Sequence, residues 1–304
     1  MDRLSLFSFW WRVMEENRNT INWFPGHMAK TRRLITENLS MCDIACEVVD
    51  ARIPNASRNP VLDELLGGKP RITVLNKSDL ADPTLTASWL AALKQEGKYA
   101  VAVDCKGKKG VQEFVRAARA AGAEMLARRA EKGVTSKRLR IMITGIPNVG
   151  KSSFINMLAG RKAAAAQDRP GVTRGKQWVS VSGAHELDLL DTPGILWPKI
   201  DTEDQALLLC YTGAIKDEVL DTEYIAQNLS SAIAKTAPQA LIDRYKICEF
   251  EGLEGHEILE KIGRARGFVR KGGVVDTERA GHILLDEYRA GKLGRISFEV
   301  ANHG

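Results

Sequence analysis

A short glycine-containing stretch near the middle of the chain constrains its fold more than any other feature. Residues 145–152 read G-I-P-N-V-G-K-S and lie between an apolar run, 139–144, and a helix-forming segment, 153–158. A loop of this pattern between a strand and a helix directs backbone N–H groups, and the positive end of the helix dipole, toward phosphate. The alternative is a chance glycine-rich turn, which this context disfavours. The sequence therefore predicts a binding site for a purine nucleoside triphosphate.

The side chains of this loop predict how phosphates and a metal ion are held. Lys151 is expected to reach the β- and γ-phosphates, and Ser152 to bind Mg²⁺ through its hydroxyl group. The residues expected to contact the nucleotide here are Asn148, Val149, Gly150, Lys151, Ser152 and Ser153. Mg²⁺ is therefore a predicted cofactor.

A second motif predicts which base the site accepts. Residues 76–79 read N-K-S-D and follow an apolar run, 71–75, that is typical of a buried strand. The Asp79 carboxylate can accept hydrogen bonds from N1–H and the exocyclic amine of guanine together, whereas adenine offers no such pair of donors. Asn76 is expected to hold neighbouring loops and contact the base, and the Lys77 stem to lie on the purine face. Alone this pattern is more often a surface turn, but beside a phosphate loop it indicates guanine.

A second base-contacting loop is assigned by position alone. Asp104, Cys105 and Lys106 follow a predicted strand, 99–103, whose carboxyl end is expected at the same sheet edge as residues 76–79. No residue pattern supports this assignment independently.

A third motif, D-T-P-G at 191–194, follows the phosphate loop and another apolar run. Asp191 is expected to hold the water shell of the metal ion, and the Gly194 N–H to lie beside the γ-phosphate. Thr173, in the polar stretch between the two motifs, is expected to complete Mg²⁺ coordination and sense the γ-phosphate; a simple turn threonine is the alternative. Lys151, Thr173 and Gly194 are therefore predicted catalytic residues.

The order of the motifs predicts the fold. N-K-S-D precedes the phosphate loop, the reverse of the usual small-GTPase order, and helical patterns dominate residues 202–290. We expect an α/β, circularly permuted P-loop GTPase domain, with a mostly parallel sheet flanked by helices, followed by a smaller all-helical C-terminal domain. The expected boundaries are a poorly ordered extension at 1–20, the GTPase domain at 21–200 and the helical domain at 201–304.

Charge is concentrated in one segment. The chain has a formal net charge of +6, while residues 104–140 hold eleven Lys or Arg and four Asp or Glu, a balance of +7. Much of this segment, 111–131, is predicted to be one long basic helix. Such a concentration favours a polyanionic partner, and an ordinary solvated helix is the alternative.

Cysteines and terminal residues bear on the cellular setting. Five cysteines without a C-x-x-C pair favour a reduced, cytoplasmic protein with no zinc site. The apolar stretch at 4–11 is too short to span a bilayer, so no stable membrane association is expected. A monomer is the default expectation.

The motif order, together with W-F-P-G-H-M-A-K at 23–30 and D-A-R-I-P at 50–54, resembles the circularly permuted ribosome-biogenesis GTPase A family (RbgA, also called YlqF). The resemblance covers residues 21–298. It implies a cytoplasmic bacterial GTPase that hydrolyses GTP to GDP and phosphate during late maturation of the large (50S) ribosomal subunit. It also implies that the subunit precursor, with its rRNA and ribosomal proteins, stimulates the GTPase, and that the helical domain contacts rRNA.

The same resemblance assigns two further roles. In many small GTPases a glutamine after D-x-x-G orients the attacking water, but here that residue is Ile195. His27 corresponds to the histidine that is the proposed substitute in this family; capping of the first helix or an RNA contact is the alternative. Asn148 corresponds to a residue that helps bind K⁺ in K⁺-stimulated relatives, with a loop-shaping asparagine as the alternative. K⁺ is thus a second candidate cofactor.

Three other functions remain open at this point. A P-loop ATPase or kinase is disfavoured by Asp79. A binding module in which GTP only stabilises the fold, with negligible hydrolysis, fits the absence of a glutamine at residue 195. A GTP-dependent switch acting on another RNA target would use the same basic residues, because these contact any phosphate backbone.

Overall fold

The computed structural model describes residues 25–160, 177–181, 186–194, 200, 202–215 and 221–301, with side chains from Arg32 onward. The extension predicted at 1–20 lies outside these residues. So do Thr173, Ile195 and the side chain of His27.

A six-stranded sheet forms the first part of the chain. Its strands are β1 (Ile44–Asp50), β2 (Arg71–Asn76), β3 (Tyr99–Ala102), β4 (Leu139–Thr144), β5 (Gln177–Val181) and β6 (Leu187–Asp191). The order across the sheet is β3-β2-β1-β4-β6-β5, and only the β5–β6 pair is antiparallel. Every residue of β1 is buried, as expected of a central parallel strand covered on both faces. The predicted mostly parallel sheet is confirmed.

The strand order places the carboxyl ends of β1 and β4 beside each other at the point where the order reverses. In the ladders, Asp50 lies opposite Asn76, and Ile143 lies opposite Asp191. Ligands of open α/β sheets bind in the crevice at such a reversal. The permuted motifs therefore meet at one edge of the sheet, although they are far apart along the chain.

Helices pack on both faces of the sheet. They are α1 (Pro25–Ser40), α2 (Pro60–Leu65), α3 (Pro83–Gln95), α4 (Val111–Ala121), α5 (Ala123–Glu131) and α6 (Lys151–Ala159). The prediction of a single helix over 111–131 was wrong, because the chain is interrupted at Gly122 between α4 and α5. A Cβ atom at Gly122 would lie 2.7 Å from Leu139 Cδ2, so a larger residue there would require the Leu139 side chain to move.

The basic segment is neutralised in part by its surroundings. Arg116 pairs with Glu113 at 3.1 Å, and Arg128 pairs with Glu124. Arg129 reaches Asp43 at 2.7 Å on the strand side. Fixed pairs of this kind offer less charge to a polyanion than the sequence count suggests. Exposed lysines remain at 106, 108, 109, 132 and 137.

Helices dominate the remainder of the described chain. They are α7 (Glu203–Tyr211), α8 (Thr222–Thr236), α9 (Pro238–Tyr245), α10 (Gly255–Ala265) and α11 (Thr277–Arg289). Two aspartates cap these helices: Asp221 accepts from Glu223 N at 2.9 Å at the start of α8, and Asp276 accepts from Arg279 N at 3.2 Å at the start of α11. The apolar face of α8, formed by Ile225, Leu229 and Ile233, is fully buried within the helical core.

The helices and the sheet are joined through α7 and the segment after α11. Leu209 of α7 belongs to the core around the sheet, whereas Leu207 and Cys210 belong to the helical core. Phe298 packs against both, and its N–H donates to the Arg52 carbonyl at 3.0 Å. The domain boundary at residue 200 stays a prediction. No helix within the described ranges is long and apolar enough to cross a membrane.

Candidate nucleotide-binding site

The phosphate loop is held close to its neighbours by glycines. At Gly145 a Cβ atom would lie 2.3 Å from the Val48 carbonyl oxygen of β1. At Gly150 it would lie 2.4 Å from Asn76 Nδ2, and φ there is +91°. No side chain fits at either position. The loop therefore lies directly against the ends of β1 and β2.

Lys151 is the first residue of α6 and is buried. Its Nζ donates to the carbonyls of Gly145 at 3.0 Å and Ile146 at 2.8 Å. Burial lowers the pKa of Lys151 to about 8, although the charge of Asp191 acts in the opposite direction. Ser152 and Ser153 follow in the same first turn of the helix. The predicted phosphate ligands are thus collected at one helix N-terminus.

Asp191 ends β6 and is 1% exposed. Neither of its buried carboxylate oxygens has a hydrogen-bond partner within the part of the chain that the structure describes. Burial raises the pKa of Asp191 to about 6, and the Lys151 charge limits that rise. Gly194 follows on the same loop, where a Cβ atom would lie 2.9 Å from Lys151 Nζ.

These residues fit a magnesium ion. A buried carboxylate with two unpartnered oxygens suits the waters of a hydrated Mg²⁺, and Ser152 supplies a hydroxyl group at the adjacent helix start. When bound, the ion would neutralise charge between the β- and γ-phosphates. Among the described residues there is no cluster of three His, Cys, Asp or Glu side chains that would hold a metal without such help.

Asn76 joins three loops. It is 1% exposed, and its Nδ2 donates to the Val149 carbonyl of the phosphate loop at 2.7 Å. Its Oδ1 accepts from the Cys105 thiol at 3.1 Å, and burial raises the pKa of that thiol to about 12. The structure therefore brings the N-K-x-D motif, the phosphate loop and the loop at 104–106 together.

The other base-site residues differ in their surroundings. Lys77 has φ of +58°, and its Nζ lies 3.0 Å from Asp50 Oδ2. Asp79 is half-buried, and its carboxylate has no hydrogen bond or ion pair among the described residues. Asp104 accepts from Gly107 N at 2.7 Å, which shapes its own loop, and Lys106 is exposed. Asp79 is thus the carboxylate of this region that is available to a base.

Sequence reasoning missed the pair formed by Asp50 and Arg52. Both are 1% exposed, and Arg52 donates to Asp50 through Nε at 2.9 Å and Nη2 at 2.8 Å. Burial would raise the pKa of Asp50, but Arg52 and Lys77 together hold it well below its usual range. The signal was available, because Asp50 ends a strand at the ligand-binding edge.

Asn148 faces the helices rather than its own loop. Its φ is +59°, and its Nδ2 donates to the Gly213 carbonyl just after α7 at 2.6 Å. No sequence signal predicted this contact, which spans 65 residues. Its role toward K⁺ stays a prediction.

Comparisons with known proteins agree with the geometry. A family described as 50S ribosome-binding GTPase matches residues 140–240. The ribosome biogenesis GTPase A of Priestia megaterium is 46% identical over 281 residues, which covers 92% of this chain and 96% of the relative. The protein of that name from Thermotoga maritima is 33% identical over 282 residues, covering 92% and 94%.

Solved structures extend this agreement to the fold. GDP-bound YlqF superposes with a TM-score of 0.62 at 30% identity, covering 88% of this chain and 98% of the other. GNP-bound YlqF from T. maritima gives 0.60 at 30% identity, covering 89% and 98%. The predicted permuted P-loop fold is thereby confirmed. With a phosphate loop, an N-K-x-D motif and D-x-x-G at one sheet edge, the chain is a GTPase and belongs to the ribosome biogenesis GTPase A family.

Proposed function

We propose that this GTPase acts as an assembly factor late in maturation of the bacterial large ribosomal subunit, and that the ribosomal particle stimulates its turnover. The observation that carries the proposal is the Asn76–Val149 hydrogen bond, which unites a guanine-reading loop with a phosphate loop in permuted order. The matched family is described as binding the 50S subunit, and the relatives are named for ribosome biogenesis. The family description favours the large subunit as partner, and the relatives' names favour a role in ribosome assembly.

In the proposed mechanism, guanine is read by Asp79 while the Lys77 stem covers the purine face. Lys151 exchanges its bonds to the Gly145 and Ile146 carbonyls for phosphate oxygens, since a charged acceptor is a stronger partner than a carbonyl. Ser152 and Thr173 would bind the magnesium ion, Asp191 would hold it through water, and the ion would supply positive charge beside the phosphates. The Gly194 N–H then stabilises charge on the γ-phosphate.

The residue that orients the attacking water is proposed to be His27. Ile195 can neither donate nor accept a hydrogen bond, whereas His27 lies in the first turn of α1, a segment that precedes β1. We propose that the imidazole reaches the γ-phosphate only when the protein is docked on the ribosomal particle. Slow turnover of the free protein and fast turnover on the particle follow from this arrangement.

Variants of His27 test this step. His27→Ala should abolish stimulation of phosphate release by large subunits while GTP affinity stays normal. His27→Gln keeps hydrogen bonding but cannot accept a proton near pH 7, so partial stimulation would indicate orientation of water and its loss would indicate proton abstraction. Stimulation that survives His27→Ala contradicts the assignment.

Asn148 is proposed to bind K⁺ through its side-chain oxygen, because its Nδ2 already donates to Gly213. The ion would supply positive charge near the α- and γ-phosphates. Turnover should then be faster in K⁺ than in Na⁺ at equal ionic strength. Equal rates in both salts exclude the potassium site.

Sucrose-gradient co-sedimentation tests the partner. With a non-hydrolysable GTP analogue the protein should migrate with large-subunit fractions, and with GDP it should stay at the top. Migration with small subunits or tRNA instead would favour the GTP-dependent switch on another RNA. Displacement of GTP by ATP at similar concentration would contradict the guanine assignment.

A further inference from the structure

We propose that Tyr288 and Arg289, the last two residues of α11, are positioning residues that hold the base-binding and phosphate-binding halves of the nucleotide site in register. Neither residue belongs to a nucleotide motif, and both lie in the helical region. The inference rests on the proposed site residues. In this proposal the C-terminal end of α11 fixes the distance between the two loops that bind GTP.

The first connection runs to the base-binding half. The Arg52 guanidinium lies 4.8 Å from the centre of the Tyr288 ring, and its Nη1 is 3.5 Å from the Tyr288 carbonyl. The same guanidinium holds Asp50 through two hydrogen bonds, and Asp50 in turn lies 3.0 Å from Lys77 Nζ. Because Arg52 and Asp50 are buried, moving the ring would displace a charged pair that has little solvent to compensate it. Tyr288 therefore fixes where Lys77 is held.

The second connection runs to the phosphate-binding half. Arg289 donates to the last carbonyls of α7, through Nε to Tyr211 at 3.1 Å and through Nη2 to Cys210 at 2.7 Å. These carbonyls lie at the C-terminal end of α7, where no helical N–H group is left to bind them. The chain continues from there to Gly213, whose carbonyl accepts from Asn148 of the phosphate loop. A cation at a helix C-terminus also meets the negative end of the helix dipole. Arg289 therefore fixes the surface on which Asn148 rests.

The two sets of contacts are coupled, because Tyr288 and Arg289 are adjacent residues of the same helix. Phe298 strengthens the junction, since its ring centre lies 5.5 Å from that of Tyr288 and 5.6 Å from that of Tyr211. A shift of α11 would thus move Lys77 and Asn148 together. Nucleotide that binds both loops should accordingly favour one placement of the helical region over others.

Binding of a fluorescent GDP to the full chain tests the base connection. Tyr288→Leu removes the ring and should weaken GDP affinity roughly two- to thirtyfold. Tyr288→Phe is the matched control: it keeps the aromatic ring that lies 4.8 Å from the Arg52 guanidinium, so affinity should stay close to that of the unmodified chain. In a Lys77→Ala background, Tyr288→Leu should cause no further loss of GDP affinity, because Tyr288 is proposed to act on the nucleotide only through the position of the Lys77 side chain.

The phosphate connection is tested in the same assay. Arg289→Gln should weaken GDP affinity by a similar factor, and its effect should disappear in an Asn148→Ala background. Ile258→Ala serves as a second control, because it opens a cavity in the helical core on α10 without contacting the sheet core. It should lower thermal stability while leaving GDP affinity unchanged.

Several outcomes overturn the inference. Unchanged affinity in folded Tyr288→Leu and Arg289→Gln proteins does so directly. Equal losses in Ile258→Ala would show that any destabilisation of the helices weakens binding, and fully additive double variants would show that the two residues do not act through Lys77 and Asn148. If Lys151→Ala and Asp79→Ala also bound GDP normally, the site assignment itself would fail, a result separable from the others.

Discussion

Two carboxylates at the ligand-binding edge of the sheet, Asp50 and Asp191, share the same 1% exposure but meet opposite surroundings. In the base half, Asp50 is held by Arg52 and Lys77, which keep its pKa well below the usual range despite burial. In the phosphate half, burial raises the pKa of Asp191 to about 6, and neither oxygen is bonded by a described residue. The Asp50 carboxylate is thus neutralised by the protein itself, whereas the Asp191 oxygens are left for a ligand.

The difference between Asp50 and Asp191 indicates that the base half contributes to a stable, preformed site, whereas the phosphate half provides the groups for catalysis. In the base half the Asp50 charge is neutralised before GTP arrives, so the loop that carries Lys77 and Asp79 is preorganised for recognition. In the phosphate half, Lys151 and Asp191 are both buried and both have pKa values shifted toward their neutral forms. Such opposing burial penalties are common at catalytic sites, where folding stability is given up for function. Variants of the two halves should therefore fail in different ways.

The largest effect is expected for Lys151→Ala in the phosphate half. Loss of the ammonium group removes charge stabilisation at the transferred phosphate, so turnover should fall by about a hundredfold or more. Phosphate release at saturating GTP measures this. Lys94→Ala, at the exposed end of α3, is the matched control and should leave turnover unchanged. A loss below threefold would argue against the proposed role.

Asp79→Asn should produce the next largest effect, confined to base recognition. An amide cannot accept from both guanine donors, so GTP affinity should fall about a hundredfold. Xanthosine triphosphate presents an acceptor where guanine has its amine and should bind the variant better than it binds the unmodified chain. Competition against a fluorescent nucleotide measures both. Undiminished preference for GTP would exclude Asp79 as the specificity residue.

Much of this site was predictable, because each motif follows an apolar strand and parallel strands present their carboxyl ends at one edge. Asn76, Lys151 and Asp191 were placed on that basis, and the structure brings them together. The interruption at Gly122 was missed, although a glycine inside a helical pattern is a signal that the sequence offered.

Contacts between the sheet and the helical region could also not be predicted from the sequence. The Asn148–Gly213 bond joins residues 65 apart, and the Arg52–Tyr288 contact joins residues 236 apart. Local propensity and motif spacing contain no information on such pairs, because they depend on how whole elements pack. Asp50 lies between these cases. Its position at the end of a strand was a signal that it belongs to the nucleotide site, but only the structure shows its ion pair with Lys77.

Asn76→Ala tests the hydrogen bond that joins the two halves. The Val149 carbonyl would lose its buried donor, so GDP affinity should fall about tenfold, with a comparable loss of folding stability. Asn76→Asp is an informative companion, because a carboxylate at this position cannot donate to the carbonyl and should be worse than alanine. Calorimetric titration with GDP and thermal melts report both quantities. If affinity falls without any loss of stability, the bond acts in binding alone.

The smallest effect, with the opposite sign, is expected for the stability of Asp191→Asn. A carboxyl group whose pKa rises from 3.8 to about 6 on folding favours the protonated form, so its ionisation costs stability as pH rises through that interval. In EDTA without nucleotide, Asp191→Asn should exceed the unmodified chain by about 1–2 kcal/mol near pH 7 and match it near pH 4. In the unmodified chain Lys151, with a pKa of about 8, titrates above this window. Urea denaturation at a series of pH values measures the difference, and Mg²⁺ with GDP should reverse it, because only the native carboxylate can hold the hydrated ion.

A difference in the free energy of unfolding that stays constant between pH 4 and pH 7 would show that ionisation of Asp191 does not destabilise the fold. The contrast between Asp191 and Asp50 would then lose its physical basis.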